Sequence, residues 1–186
     1  MPGFDDFIPT NHADIYPAID PSEVKLPKAF TVLILGASRG IGAGIAEAYA
    51  RAGASTILLS SRRISGLEEV AEKCRSISPL GESAKIEIIP CDITDAHAVA
   101  DVAAHVEQTY GRLDACIVNS GYAGDIHLKI EDTPVEEFQR AIDVNYVGTF
   151  LTAKYCLPLL KKTDGAKAFL AVGSLVATIT AGRKHQ

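Results

Sequence analysis

The stretch LGASRGIG, residues 35–42, sets Gly36, Gly40 and Gly42 in the spacing G-x-x-x-G-x-G. Glycine lets a chain turn sharply and lets backbone N–H groups approach a bound group. At a helix start those N–H groups, with the helix dipole, favour negative charge. The chemistry this suits is the holding of a pyrophosphate. A glycine-rich turn standing alone is often just a tight connection, so its weight depends on a strand entering it and a helix leaving it. The four cysteines, Cys74, Cys91, Cys116 and Cys156, are widely spaced with no Cys-x-x-Cys, which argues against a metal site. Cys91 and Cys116 stand in apolar runs, where a thiol serves as a small hydrophobe.

The elements around the glycine turn are the required ones. TVLILG (31–36) is an apolar run ending in glycine, as expected of a strand buried on both faces. GIAEAYARAG (44–53) follows as a helix, with Ile45, Ala48, Tyr49 and Ala52 on one stripe and Gly53 as its stop. The alternation then repeats: strands at 55–60, 85–91, 113–119 and 167–173, and helices over about 67–77 and 96–110. TPVEEF (133–138) reads as a helix start with Thr133 as N-cap, Pro134 in the first turn and Glu136 three residues after the cap. That helix is expected to run to about Leu157, where Pro158 disfavours helical geometry for the residue before it. Strand and helix alternate with crossovers too long for hairpins. The fold class is therefore α/β, a Rossmann-type doubly wound parallel sheet of about five strands with helices on both faces.

Residues 1–30 carry five prolines and no sustained period, so they are expected to form an extended arm preceding a nucleotide-binding domain over 31–186. The formal charge of −5 and the absence of a basic run argue against nucleic acid and anionic membrane as partners. No apolar N-terminal core suggests a signal peptide, and no apolar stretch of about 18 residues suggests a membrane span. The expectation is a reduced, cytoplasmic protein.

Five pieces in order carry a resemblance to the short-chain dehydrogenase/reductase family, covering about Val32 to Ser174. These are LGASRGIG (35–42), CDIT (91–94), NSG (119–121), DVNYVGTF (143–150) and VGSLVA (172–177). The resemblance implies that Gly36, Ser38, Arg39, Gly40, Ile41 and Gly42 bind a nicotinamide dinucleotide. It implies that Asp92 and Ile93 lie near the adenine and that Asn119 and Gly121 border the cofactor. Asn145 and Ser174 match the helix Asn and the Ser of the family's catalytic group. Asp92 can equally be a residue opening the next helix, and Asn119 a strand-end residue that bonds neighbouring backbone. Where NAD-binding members carry an acid after the second strand, this chain has Ser61, with Arg62 and Arg63 beside it and Arg39 in the glycine turn. Cationic donors suit a 2′-phosphate, so NADP is expected over NAD.

The family's acid/base is a Tyr in Tyr-x-x-x-Lys, and no Tyr in these 186 residues has Lys four places later. Three expectations follow: an oxidoreductase acting on a small carbonyl or alcohol and truncated before that motif; a silent relative that binds NADP or a partner; or a non-redox isomerase or cyclase on the same fold. Family members also dimerise through the helix before the fifth strand and the one after it. Apolar residues of the first of these, such as Phe138, Ile142, Val147, Phe150, Leu151 and Leu157, are therefore expected to promote self-association.

Overall fold

A computed structural model describes residues 14–125 and 129–174. Five strands, β1 (Thr31–Leu35), β2 (Thr56–Ser61), β3 (Lys85–Pro90), β4 (Ala115–Val118) and β5 (Ala168–Ala171), form one sheet in the order β3-β2-β1-β4-β5. Every pairing is parallel. The order steps outward from β1 in both directions, so the chain reverses at the β1/β4 boundary. In open parallel sheets a ligand crevice opens at such a reversal, above the carboxyl ends of the strands.

Alternate strand residues feed two separate cores, as side-chain alternation requires. Leu33, Leu35, Leu58, Cys116 and Val118 face one side, where they meet α3 (Ala96–Tyr110) and α5 (Gly148–Lys162). Val32, Ile34, Ile57, Leu59 and Ile117 face the other, where α1 (Gly40–Arg51) and α2 (Ile64–Ile77) cover them. All four positions flanking the sheet are thus filled by helices that the apolar periodicity requires. Before β1, Phe30 stacks on Tyr49 of α1, with ring centroids 5.8 Å apart.

Three local expectations are corrected. On α1 the fully buried stripe is Gly42, Ala46 and Ala50, while Ile45 and Tyr49 are only half-buried and Ala52 stands past the helix end. Small residues face the sheet there because the helix lies close to it. Thr133 is not the N-cap of the helix that follows: it closes a short 3-10 turn, Ile130–Asp132, its hydroxyl donates to the Lys129 carbonyl at 2.8 Å, and α4 (Val135–Ile142) begins after Pro134. Pro158 does not end α5 either. It sits exposed inside the helix, and burial of Cys156, Leu159 and Leu160 around it offsets the lost backbone bond. Between α4 and α5 the backbone widens into a single π turn, Asp143–Val147.

The opposite, N-terminal rim of the sheet is tied by one buried carboxylate. Asp114, fully buried, accepts from the Thr31 N–H at 2.9 Å and from Arg112 at 2.9 and 2.7 Å. Its backbone carbonyl accepts from the Ala168 N–H at 2.9 Å. A Cβ on Gly165 would overlap the same carboxylate, so glycine is needed in the turn before β5. This tie aligns the entry of β1, β4 and β5, and therefore where their far ends emerge.

Candidate functional site

The glycine turn closes over the end of β1. Gly36 has φ of 85°, its N–H donates to the Ser60 carbonyl at 2.7 Å, and an added Cβ would meet the Ser120 N at 2.5 Å. A Cβ on Gly42 would overlap the Gly36 carbonyl and come within 2.7 Å of Asn119 Nδ2. That amide donates to the Gly36 carbonyl at 3.1 Å, while the Asn119 N–H donates to Leu35 O at 2.8 Å. Gly36, Gly42 and Asn119 are thus interlocked, and both readings of Asn119 meet: it bonds neighbouring backbone, and that backbone is the glycine turn. Arg39 and Ile41 are exposed and Ser38 is half-buried at the mouth of α1, which has no side-chain cap. Gly40 is the first residue of α1, with φ of 57°. The first N–H groups of that helix are left for a bound group.

At the end of β2 the Ser61 hydroxyl donates to the Arg63 carbonyl at 3.0 Å and accepts its N–H at 3.3 Å, which turns Arg62 toward β3. Arg62 lies 3.9 Å from the Asp92 carboxylate. Asp92 does not cap the next helix; Asp95 does, accepting from the N–H groups of His97 and Ala98. Asp92 instead accepts from the Thr94 N–H at 3.0 Å and hydroxyl at 2.8 Å. Partial burial pushes its carboxyl up, but Thr94, then Arg62 and Arg140, hold it below the usual carboxylate value. Ile93 is buried and packs where any side chain on Gly148 would collide with it, at 2.9 Å.

Asn145 sits in the π turn, a feature that recurs at functional sites. Its side chain clasps the backbone of Tyr122, accepting from the N–H at 2.9 Å and donating to the carbonyl at 2.7 Å. A Cβ on Gly121 would lie 3.7 Å from the same amide oxygen. The Tyr122 hydroxyl bonds the Glu137 carboxylate, and Arg140 lies over its ring, 4.5 Å from the centroid. The bond to Glu137 pushes the phenol up, with burial adding to it. Ser174 is exposed, three residues beyond β5 on the same rim; the tail holding Lys184 lies outside the described residues. Burial pushes the Cys91 thiol, beside Asp92, up to about 11, which suits packing and not nucleophilic attack.

The structure therefore gathers the predicted residues along one rim: the glycine turn with Asn119, Arg62 with Asp92, and Asn145 with the Gly121 loop. Gly148, Tyr122, Glu137 and Arg140 were missed. Gly148, three residues after Asn145 inside an apolar helix, was a legible signal. Arg140 was not, since an arginine on an amphipathic helix ordinarily faces solvent.

Among the described residues no helix is long and apolar enough to cross a membrane. A sequence model described as short chain dehydrogenase matches residues 30–181. The chain is 30% identical over 184 residues to the short chain dehydrogenase pgmD of Aspergillus terreus, covering 96% of this chain and 57% of that protein. It superposes on a Shigella flexneri short chain dehydrogenase solved with NADP, with a TM-score of 0.75, 26% identity, and 84% and 64% of the two chains covered. An alcohol dehydrogenase from Thermococcus sibiricus complexed with 5-hydroxy-NADP gives a TM-score of 0.67 at 31% identity, over 76% and 57%. The chain thus spans a little over half the length of the curated relatives it matches.

Proposed function

Because the chain belongs to the short-chain dehydrogenase family, we propose that it binds NADP along the carboxyl rim of its sheet. There it contributes the cofactor half of a site that interconverts a carbonyl and an alcohol on a small molecule. The observation that carries this reading is the interlocked turn of Gly36, Gly42 and Asn119 beneath an uncapped helix start. A Cβ at Gly36 or Gly42 would collide with the turn's own neighbours, Ser120 N and the Gly36 carbonyl, so only glycine closes the turn. Nothing lies within 4 Å of where a Cβ on Gly40 would stand, and that open helix start fits a pyrophosphate. The first N–H groups of α1 hold the pyrophosphate, with Ser38 at its mouth. Arg39 and Arg62, at the ends of the glycine turn and β2, face the 2′-phosphate. Asp92 accepts from the adenosine end. A bound nicotinamide supplies the hydride donor or acceptor. Asn145, its amide taken up by Tyr122, holds the Gly121 loop in place against that end of the crevice, and the Ser174 hydroxyl polarises the carbonyl of the substrate.

The test is titration with both dinucleotides. The chain is expected to bind NADP(H) at least about tenfold more tightly than NAD(H), because each charge-assisted bond to the 2′-phosphate contributes roughly 1.5–3 kcal/mol. Arg39→Ala with Arg62→Ala should erase that preference. Equal affinities in the unsubstituted chain, or a preference that survives both substitutions, would refute it.

The absence of Tyr-x-x-x-Lys from these residues favours a second reading, in which the chain binds the dinucleotide without turnover. Self-association is also proposed. Phe138 and Phe150 are about 60% exposed (62% and 60%), with Ile142 and Leu157 each at 38%, on one α4–α5 stretch, and among the described residues β5 is an edge strand of the sheet. Light scattering should find dimers or larger species; a monodisperse monomer with a concentration-independent melting point would exclude them. Four unpaired, buried cysteines suit a reducing compartment, and we place the protein in the cytoplasm.

A further inference from the structure

A pocket of about 400 Å³ opens between the ends of β2 and β3 and the helix α4, within the size range of ligand sites. Arg62 and Thr94 line it from the strand ends, and Val135, Arg140 and Val144 from the α4 side. The two arginines do not make it an anion site. Glu136 and Asp143 also line it and Asp92 adjoins it, so three carboxylates stand against two guanidinium groups. What such a lining suits is a flat, neutral group that both donates and accepts hydrogen bonds and presents apolar faces. A purine base meets that description: its exocyclic amine donates to a carboxylate, its ring nitrogens accept, and its faces pack on valine and guanidinium.

We infer that Arg140 is a base-binding residue, its guanidinium plane forming the α4 wall against which the adenine of the dinucleotide stacks. Arg140 is suited to this because it is already held. It rests over the Tyr122 ring, and that tyrosine is fixed by Glu137 through its hydroxyl and by Asn145 through its backbone. The same side chain reaches the pocket, and its charge reaches Asp92. Arg140 and Arg62 then divide the work: Arg140 recognises the base, common to both dinucleotides, and Arg62 the 2′-phosphate that distinguishes them. This inference rests on the dinucleotide reading but not on the preference for NADP.

The probes are 5′-AMP and 2′,5′-ADP, which share the base and differ in the 2′-phosphate, titrated calorimetrically against the 186-residue chain. Arg140→Ala is expected to weaken both by the same factor, about tenfold, as for a partly desolvated cation–π contact. Arg140→Lys, which keeps the charge without the plane, should lose most of the same affinity. Tyr122→Leu, which removes the support and leaves the pocket wall, should cost about twofold or less. Melting of the ligand-free variants checks that each is folded. Unchanged AMP binding in Arg140→Ala would overturn the assignment, as would a loss confined to 2′,5′-ADP or a Tyr122→Leu loss as large as that of Arg140→Ala. If instead the unsubstituted chain binds the two probes equally while Arg140→Ala weakens both, the NADP preference fails and the base-binding role stands. Binding of neither probe overturns both.

Discussion

Supplied with NADPH and a reducible carbonyl, the 186-residue chain is expected to turn over about 10²–10⁴-fold more slowly than a family member that carries Tyr-x-x-x-Lys. A positioned general acid must deliver a proton as hydride arrives, and lowering its pKa toward neutrality is what makes a phenol effective in that role. None of the tyrosines here has a lysine four residues later. Tyr122, adjoining Asn145, is moved the other way: its bond to the Glu137 carboxylate favours the protonated phenol. The Cys91 thiol, pushed up to about 11 by burial, is no substitute. On the proposed reading Ser174 orients the carbonyl and Asn145, its amide bonded to the Tyr122 backbone, holds the Gly121 loop, and neither supplies the proton. The measurement is the loss of reduced-nicotinamide absorbance under saturating cofactor. Turnover at the rate usual for the family, abolished by Ser174→Ala, would show that another group has taken the acid's place.

The second large effect concerns stability. Asp114→Ala is expected to destabilise the fold by about 3 kcal/mol, toward the low end for breaking a buried pair because Arg112 keeps some contact with water. The substitution strands the Thr31 N–H and releases the turn at Thr163 and Gly165. Burial pushes the Asp114 carboxyl up, but Arg112 and the Thr31 N–H outweigh it, so the net shift is downward from 3.8. A carboxyl depressed in the folded state contributes stability that is complete above its unfolded value. That contribution shrinks as pH falls below about 4 and is lost once the folded value is passed. Chemical denaturation across acidic pH should therefore find a steeper decline in the unsubstituted chain than in Asp114→Asn. Parallel profiles, or a loss below about 1 kcal/mol in Asp114→Ala, would show that the tie is dispensable.

The Asp114 tie also shows how far local reading reaches. Short continuous apolar runs and stripes near period three to four announced five strands and their helices, because a strand covered on both faces is apolar throughout and a helix covered on one face is apolar once per turn. Asp114 stood in the fourth run without any sign of its partners, since Thr31 is 83 residues away and Thr163 is 49. The same division runs through the site. The glycine turn was legible because its demand is local: a sharp turn between strand and helix accepts only residues without a Cβ. Which aspartate caps α3 was decided by the course of the backbone after β3, which gives Asp95 the cap and leaves Asp92 facing Arg62.

Pro158 inside α5 was decided by the core, where three buried neighbours outweigh one missing hydrogen bond. Arg140 was decided by tertiary contact entirely. On its helix it is one more exposed cation, and only the sheet order, which brings the ends of β2 and β3 beneath α4, turns it into the wall of a pocket. By itself the sequence determined the fold class, the glycine turn and the family, all of which depend on residues near one another in the chain. The clasp of Asn145 on Tyr122, the packing of Ile93 on Gly148 and the pocket under Arg140 join segments tens of residues apart. Their geometry exists only once the sheet has set the distance between them.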